Sequence, residues 1–159
     1  MYNEKRVKQS ESLQLILLDS LYAQSGSRII FQGGTALRWG YNGVRFSEDL
    51  DFVTDLSGEA VEKVLTKTIQ NTKGACIAQF GPGEYEYKAK KARKHSTKGF
   101  FIYRPQKQRE RIAVKMEFEM LRPGRAPSFN RFILRDLPFV GGMIAEGKLA
   151  FSRPRLFAA

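Results

Sequence analysis

Residues Ile29 to Val53 read I-I-F-Q-G-G-T-A-L-R-W-G-Y-N-G-V-R-F-S-E-D-L-D-F-V. A short β-branched apolar run, Arg28 to Phe31, reads as a buried strand. Gly33 and Gly34 follow and open a short helix, and after a polar bend a second strand carries Asp49 and Asp51 one residue apart. The two-residue period of a strand places both acids on one face while Leu50 and Phe52 turn into the core. Paired carboxylates of this kind grip a hard divalent cation, Mg²⁺ or Mn²⁺, which keeps several waters and shares its coordination with substrate phosphates. Two solvent-facing acids on an edge strand would show the same pattern, so the neighbouring residues carry the decision. A calcium loop is excluded, since it needs further ligands and a glycine where Phe52 stands.

Gly33, Gly34 and Thr35 supply the second part of the pattern. Glycines after a strand let the backbone approach a phosphate, and the helix that follows offers free N–H groups to the anion. A tight strand-to-helix turn would use the same residues. Arg38 lies one helical turn past Thr35, a spacing that fits either a contact to the same phosphate or a plain surface position. The third part is the segment Ile112 to Leu121, I-A-V-K-M-E-F-E-M-L, the clearest alternating strand of the chain. Val114, Met116, Phe118 and Met120 point one way and Lys115, Glu117 and Glu119 the other, which brings further carboxylates and a cation to one face, though an exposed strand face with a Lys–Glu pair would show the same pattern. In a two-metal site, carboxylates hold ions about 3.5–4 Å apart, one activating the attacking hydroxyl and one stabilising the leaving oxygen.

Outward from these strands, apolar spacing at Leu13, Ile16, Leu17 and Leu21 predicts a helix over Gln9 to Gln24, stopped by Gly26. Ser57 caps a second helix from Gly58 to Asn71, with the stripe Val61, Val64, Leu65 and Ile69, ended by Gly74. Cys76 to Phe80 reads as a strand, G-P-G at Gly81 to Gly83 as a break, Gly99 to Arg104 as another strand, Phe132 to Leu134 as a short one, and Gly142 to Phe151 as a short helix.

The 159 residues, 42% apolar, suffice for one sizeable core, so one domain over 1–159 is expected. No apolar run is long enough to cross a bilayer and the N-terminus is charged, which points to a cytoplasmic protein with no membrane partner. Cys76 and His95 are the chain's lone cysteine and lone histidine, which excludes an internal disulfide and makes a zinc site an unsuitable reading. Twenty-seven Lys and Arg against 16 Asp and Glu leave a net charge of +11. Between Lys88 and Arg111, ten bases stand against the single acid Glu110, so most of the excess sits in one segment. A solvated loop would carry such a run. So would a surface for a nucleic acid, whose phosphates reward Lys and Arg.

Phe31 to Arg38 (F-Q-G-G-T-A-L-R) and Arg45 to Phe52 (R-F-S-E-D-L-D-F) resemble the AbiEii/AbiGii family of nucleotidyltransferase-like toxins, within the polymerase-β-type nucleotidyltransferase superfamily. Further on, I-A-V-K-M-E-F looks like the family strand with the third acid, favouring Glu117 over Glu119. Met143 to Arg155 resembles the start of the helix bearing the family's later lysine, here Lys148. The resemblance implies an α/β (α+β) nucleotidyltransferase-like core, a small mixed twisted sheet with helices packed on one side. It implies transfer of a nucleotidyl group from an NTP to an acceptor, most naturally RNA such as tRNA, by a toxin with a cognate antitoxin in toxin-antitoxin or abortive-infection systems. In these terms Gly33, Gly34, Thr35 and Arg38 hold the triphosphate, Ser47 shapes the site, and Asp49, Asp51 and Glu117 hold Mg²⁺ (or Mn²⁺). Lys115 and Lys148 contact nucleotide or phosphate, and Lys88 to Arg111 receives the RNA, with Phe100, Phe101 and Tyr103 as candidate stacking groups, core packing being the expected role of at least one alternate member of that strand.

Family members continue past the lysine helix into a helical half with a further acidic motif, roughly R-D-x-x-D, whereas this chain stops at Ala159; the expectation is a domain whose C-terminal helical part is truncated. Two alternatives stay open. One is an inactive member that binds RNA or an antitoxin. The other is a metal-dependent nuclease, against which Gly33-Gly34-Thr35 suits a triphosphate better than a polymer backbone, and Lys115-x-Glu117 reverses the usual acid-x-lysine order.

Overall fold

The computed structural model describes residues 4–25, 28–32, 49–90, 96–120, 130–133 and 148–151. Its elements are α1 (Glu4–Ser25), β1 (Ile29–Gln32), β2 (Asp49–Thr54), α2 (Gly58–Phe80), β3 (Gly83–Lys90), β4 (Ser96–Pro105), β5 (Ile112–Met120), β6 (Asn130–Ile133) and β7 (Lys148–Phe151). The seven strands form one mixed sheet in the order β3-β4-β5-β2-β1-β7-β6. β2 runs parallel to β5, and β1 parallel to β7. The remaining neighbours are antiparallel. The mixed sheet with helices on one side is the fold expected, with more strands than the small sheet foreseen.

A row of aromatic rings sets the register of the central strands. Phe31 of β1 is paired with Phe52 of β2, and Phe52 with Phe118 of β5. The Phe52 and Phe118 rings stack at 4.8 Å between centroids, Phe31 lies 5.4 Å from Phe52, and all three are fully buried. Tyr22 of α1 reaches the same row, 6.5 Å from Phe52. From α2, Phe80 packs at 5.7 Å on Tyr103 of β4. Both helices therefore cover the sheet face that carries the apolar members of each alternating strand. The opposite face receives Asp49, Asp51, Lys115, Glu117 and Lys98.

α1 is buried around most of its circumference from Ser12 to Leu18, because α2 and the sheet enclose it. Leu15 and Leu18 thus join the expected stripe of Leu13, Ile16, Leu17 and Leu21 in the core. At the helix crossing the Ser20 hydroxyl donates to the carbonyl of Thr68 at 2.8 Å, and the Thr68 hydroxyl to that of Val64 at 2.7 Å. Buried polar groups are thereby satisfied where close approach favours small side chains.

Two expectations are corrected, and one strand is added. The second helix does not end at Gly74, and Cys76 to Phe80 is not a strand. The buried stripe Val61, Leu65, Thr68, Ile69, Thr72, Ala75, Cys76 and Phe80 runs on at helical spacing to Phe80, and this continuous apolar face outweighs the cost of one exposed glycine. Ser57 caps the helix as expected, accepting from the Ala60 N–H at 3.2 Å. The stop falls at Gly81, whose φ of +86° with ψ 174° suits glycine alone, and whose N–H donates to the Ile77 carbonyl at 2.8 Å. The added strand is β3, Gly83 to Lys90, part of a long hairpin with β4; Gly99 permits it, since a Cβ there would overlap the Tyr87 ring lying across it. Secondly, the helix foreseen over Gly142 to Phe151 is strand over its described part, Lys148–Phe151.

Two stability changes follow. Phe52→Ala removes the centre of the aromatic row and should cost about 3–5 kcal/mol in denaturant-induced unfolding. Gly74→Ala, at an exposed helix position where an added Cβ meets nothing within 4 Å, should raise stability by about 0.5–1 kcal/mol in the same measurement.

Candidate active site

Because the aromatic row fixes Phe52 against Phe118, the residues one step earlier are fixed too. Asp51 stands beside Glu117, and Asp49 beside Lys115. On the other side of β5, Lys98 stands beside Glu117 and Phe100 beside Lys115. On β1, Gln32 holds the register position next to Asp51. The open face therefore bears two cross-strand rows: Lys98, Glu117, Asp51 in one and Phe100, Lys115, Asp49 in the next. Directly opposed side chains in a sheet stand about 4.5–5.5 Å apart, so each row is a chain of near neighbours.

The charges are interleaved. Lys115 Nζ lies 3.5 Å from Asp49 Oδ2, and Lys98 Nζ 3.6 Å from Glu117 Oε1. Asp51 sits between Asp49 and Glu117. Burial, then the Asp49 and Glu117 carboxylates, push its carboxyl up to about 6, against the pull of Lys115 and Lys98. Among the described residues no group of three or more His, Cys, Asp or Glu side chains is gathered as a bound ion requires. The donor type nonetheless fits a hard divalent cation: three carboxylates and two lysines leave a local excess of negative charge, and Asp51 is the group that a cation would relieve.

The remaining predicted residues divide as follows. Glu119 lies one pair further along β5, exposed and in register with Val53, so Glu117 is the acid brought to Asp51. Lys148 opens β7 rather than a helix, three residues before the Phe151 that pairs with Phe31. Its backbone position therefore belongs to the Thr54 end of the sheet, with β1 between β7 and β2. Gly33, Gly34, Thr35, Arg38 and Ser47 lie outside the described residues. Phe101 and Tyr103 are core residues, the Tyr103 hydroxyl donating to the Gly81 carbonyl at 2.6 Å; Phe100, half-buried beside Lys115, is the aromatic left on the open face.

The described parts of the basic segment, 88–90 and 96–111, are largely strand, while 91–95 lie outside the described residues. Lys88 and Arg104 both engage Glu86, at 3.4 and 2.7 Å. Lys107, Arg109 and Arg111 are exposed on the β4–β5 turn. There the side-chain amides of Gln9 and Gln108 bond reciprocally at 3.0 and 3.2 Å, holding the start of α1, with Lys5, Arg6 and Lys8, beside that turn. Lys98, counted with this segment in the sequence, is a neighbour of the acids. No sequence period links it to Glu117, since the pairing spans a hairpin whose register only the fold defines.

A scan against family models matches residues 16–137 to the nucleotidyl transferase AbiEii toxin of type IV toxin-antitoxin systems, well over half of the chain. The chain belongs to the AbiEii family. Two solved Helicobacter pylori structures have a similar fold. JHP933 aligns over 99% of this chain and 56% of its own at 18% identity, with a TM-score of 0.59. A candidate nucleotidyltransferase aligns over 99% and 58% at 18%, with a TM-score of 0.55. This AbiEii chain thus spans little more than half the length of those two proteins. No curated protein is similar enough to count as a relative. No helix among the described residues is long and apolar enough to cross a membrane.

The Asp51 carboxyl binds its proton more tightly in the folded chain than at its ordinary 3.8, so its contribution to stability is fully present below about pH 4 and is lost as the pH rises through about 6. Asp19 on α1, pushed up to about 6 by burial, acts in the same direction. In chelator-treated buffer, Asp51→Asn should therefore be more stable than the native chain at pH 7.5, by about 1 kcal/mol once solvent screening is allowed for, and lose that advantage by pH 4. Thermal melts of both proteins across this range provide the check.

Proposed function

We infer that this AbiEii chain carries the catalytic core of a nucleotidyltransferase that moves a nucleotidyl group from an NTP to an acceptor, with RNA such as tRNA as the acceptor. The observation that carries the reading is the placement of Asp49, Asp51 and Glu117 on one face of two parallel strands, their charge only partly offset by two lysines, in a chain whose family is named for this activity. Asp49, Asp51 and Glu117 would hold Mg²⁺ or Mn²⁺. Bound there, the ions supply activation of the attacking hydroxyl and charge stabilisation at the leaving oxygen. Lys115, beside Asp49, is placed to neutralise phosphate charge once its partner is engaged elsewhere. Gly33, Gly34, Thr35 and Arg38 are assigned to the triphosphate and Ser47 to the shape of the site, on the strength of the sequence resemblance.

In the reaction, the acceptor oxygen bonds to the α-phosphorus, the bond to the bridging oxygen breaks, pyrophosphate departs and the hydroxyl proton is released to solvent. Support for a polyanionic acceptor comes from two sources. The β4–β5 turn and the start of α1 gather Lys5, Arg6, Lys8, Lys107, Arg109 and Arg111 around the Gln9–Gln108 pair. Phe100 stands on the face of the acids, where a base could stack. A toxin of the type IV class implies a cognate antitoxin as a second partner, and a cytoplasmic location follows from that role.

Purified protein incubated with Mg²⁺, each labelled NTP in turn and total RNA should transfer label. Asp49→Ala/Asp51→Ala should abolish transfer, a loss of about 10³-fold or more. Absence of transfer by the folded native chain with every NTP would reject it as an independent catalyst.

A further inference from the structure

Lys98 belongs to a segment otherwise read as a basic surface, yet its pairing differs from that of its neighbours. Lys88 and Arg104 share Glu86, away from the acids, whereas Lys98 faces Glu117 in register and approaches it to 3.6 Å. Glu117 in turn stands beside Asp51. About a third of each side chain in the Lys98–Glu117 pair is exposed (34% and 33%), and the separation is too long for a strong charge-assisted hydrogen bond. Such a contact is readily exchanged for a better one, and a lysine arm can swing without disturbing the backbone.

We propose that Lys98 is a positioning residue of the active site, a resident counter-ion that neutralises Glu117 while the site holds no metal and transfers to the triphosphate when a divalent ion takes Glu117. This extends the nucleotidyltransferase reading and rests on it. The physical requirement is charge balance. Asp49, Asp51 and Glu117 on adjacent positions repel one another, and Lys115 is already engaged with Asp49. A second cation on the Glu117 side lessens that repulsion while no metal is bound. An ion held by Glu117 would share its coordination with substrate phosphates, so a lysine released from Glu117 would stand within reach of that charge.

The role predicts effects of opposite sign, which a merely structural lysine would not produce. Removing the ammonium group takes away both a competitor and a repelling charge, so Lys98→Met should bind Mn²⁺ alone about fivefold more tightly than the native chain. With Mn²⁺ saturating, the same variant should bind inorganic tripolyphosphate about tenfold more weakly, and Lys98→Arg should restore most of that affinity. Titration calorimetry on the full chain, with circular dichroism to confirm folding, reads both. Unchanged or weaker Mn²⁺ binding by Lys98→Met, or unchanged tripolyphosphate binding, would overturn the role of Lys98 and leave the metal site standing. If the native chain took up no Mn²⁺, the metal site and this proposal would both fall.

Discussion

The stack of Phe31, Phe52 and Phe118 is the contact on which the rest of the molecule depends. These rings occupy directly paired positions on three adjacent strands and are fully buried beneath α1. A strand shifted by one residue would turn its whole apolar set to the other face, exposing Phe52 and burying Asp51 between α1 and the sheet. Burying an aromatic ring contributes about 1.5–3 kcal/mol, and an unpaired buried carboxylate opposes folding by more. The register is therefore strongly determined, and with it the neighbour of every acid on the far side.

That constraint creates an electrostatic problem on the open face. Fixing Asp49, Asp51 and Glu117 as neighbours concentrates negative charge where burial already disfavours it, and Asp51 bears the result. Lys115 and Lys98 answer it from within the sheet. The arrangement is stable enough to fold and incomplete enough to favour a further cation. Core packing on one face thus prepares a site on the other, through the alternation of the strands alone.

The acids were legible because strand alternation is a local property: Asp49 and Asp51 share a face by spacing, and the same rule puts Glu117 and Glu119 on one face of β5, the resemblance favouring Glu117. The Ser57 cap was legible for the same reason, since its partner lies three residues away. Lys98 was not, because its relation to Glu117 passes through a hairpin. The strand β3 was hidden by its polar, charged composition, which reads as loop until β4 provides pairing partners. Gly74 misled as a helix stop because the apolar face of α2, which continues to Phe80, has force only when there is a core to bury it in. The lysine at 148 was placed by analogy with a helix; its strand pairs on the far side of β1.

By itself, the sequence determined which residues alternate, which helix begins at Ser57, where the acids lie along their strands, and the large positive charge. Those are matters of spacing and composition within a few residues. Only the tertiary structure decided that Asp51 meets Glu117, that Lys98 stands with them, and that the start of α1 meets the β4–β5 turn. Each joins residues far apart in the chain, and their meeting depends on strand order and register, which are set by the burial of Phe31, Phe52 and Phe118 and not by any local pattern.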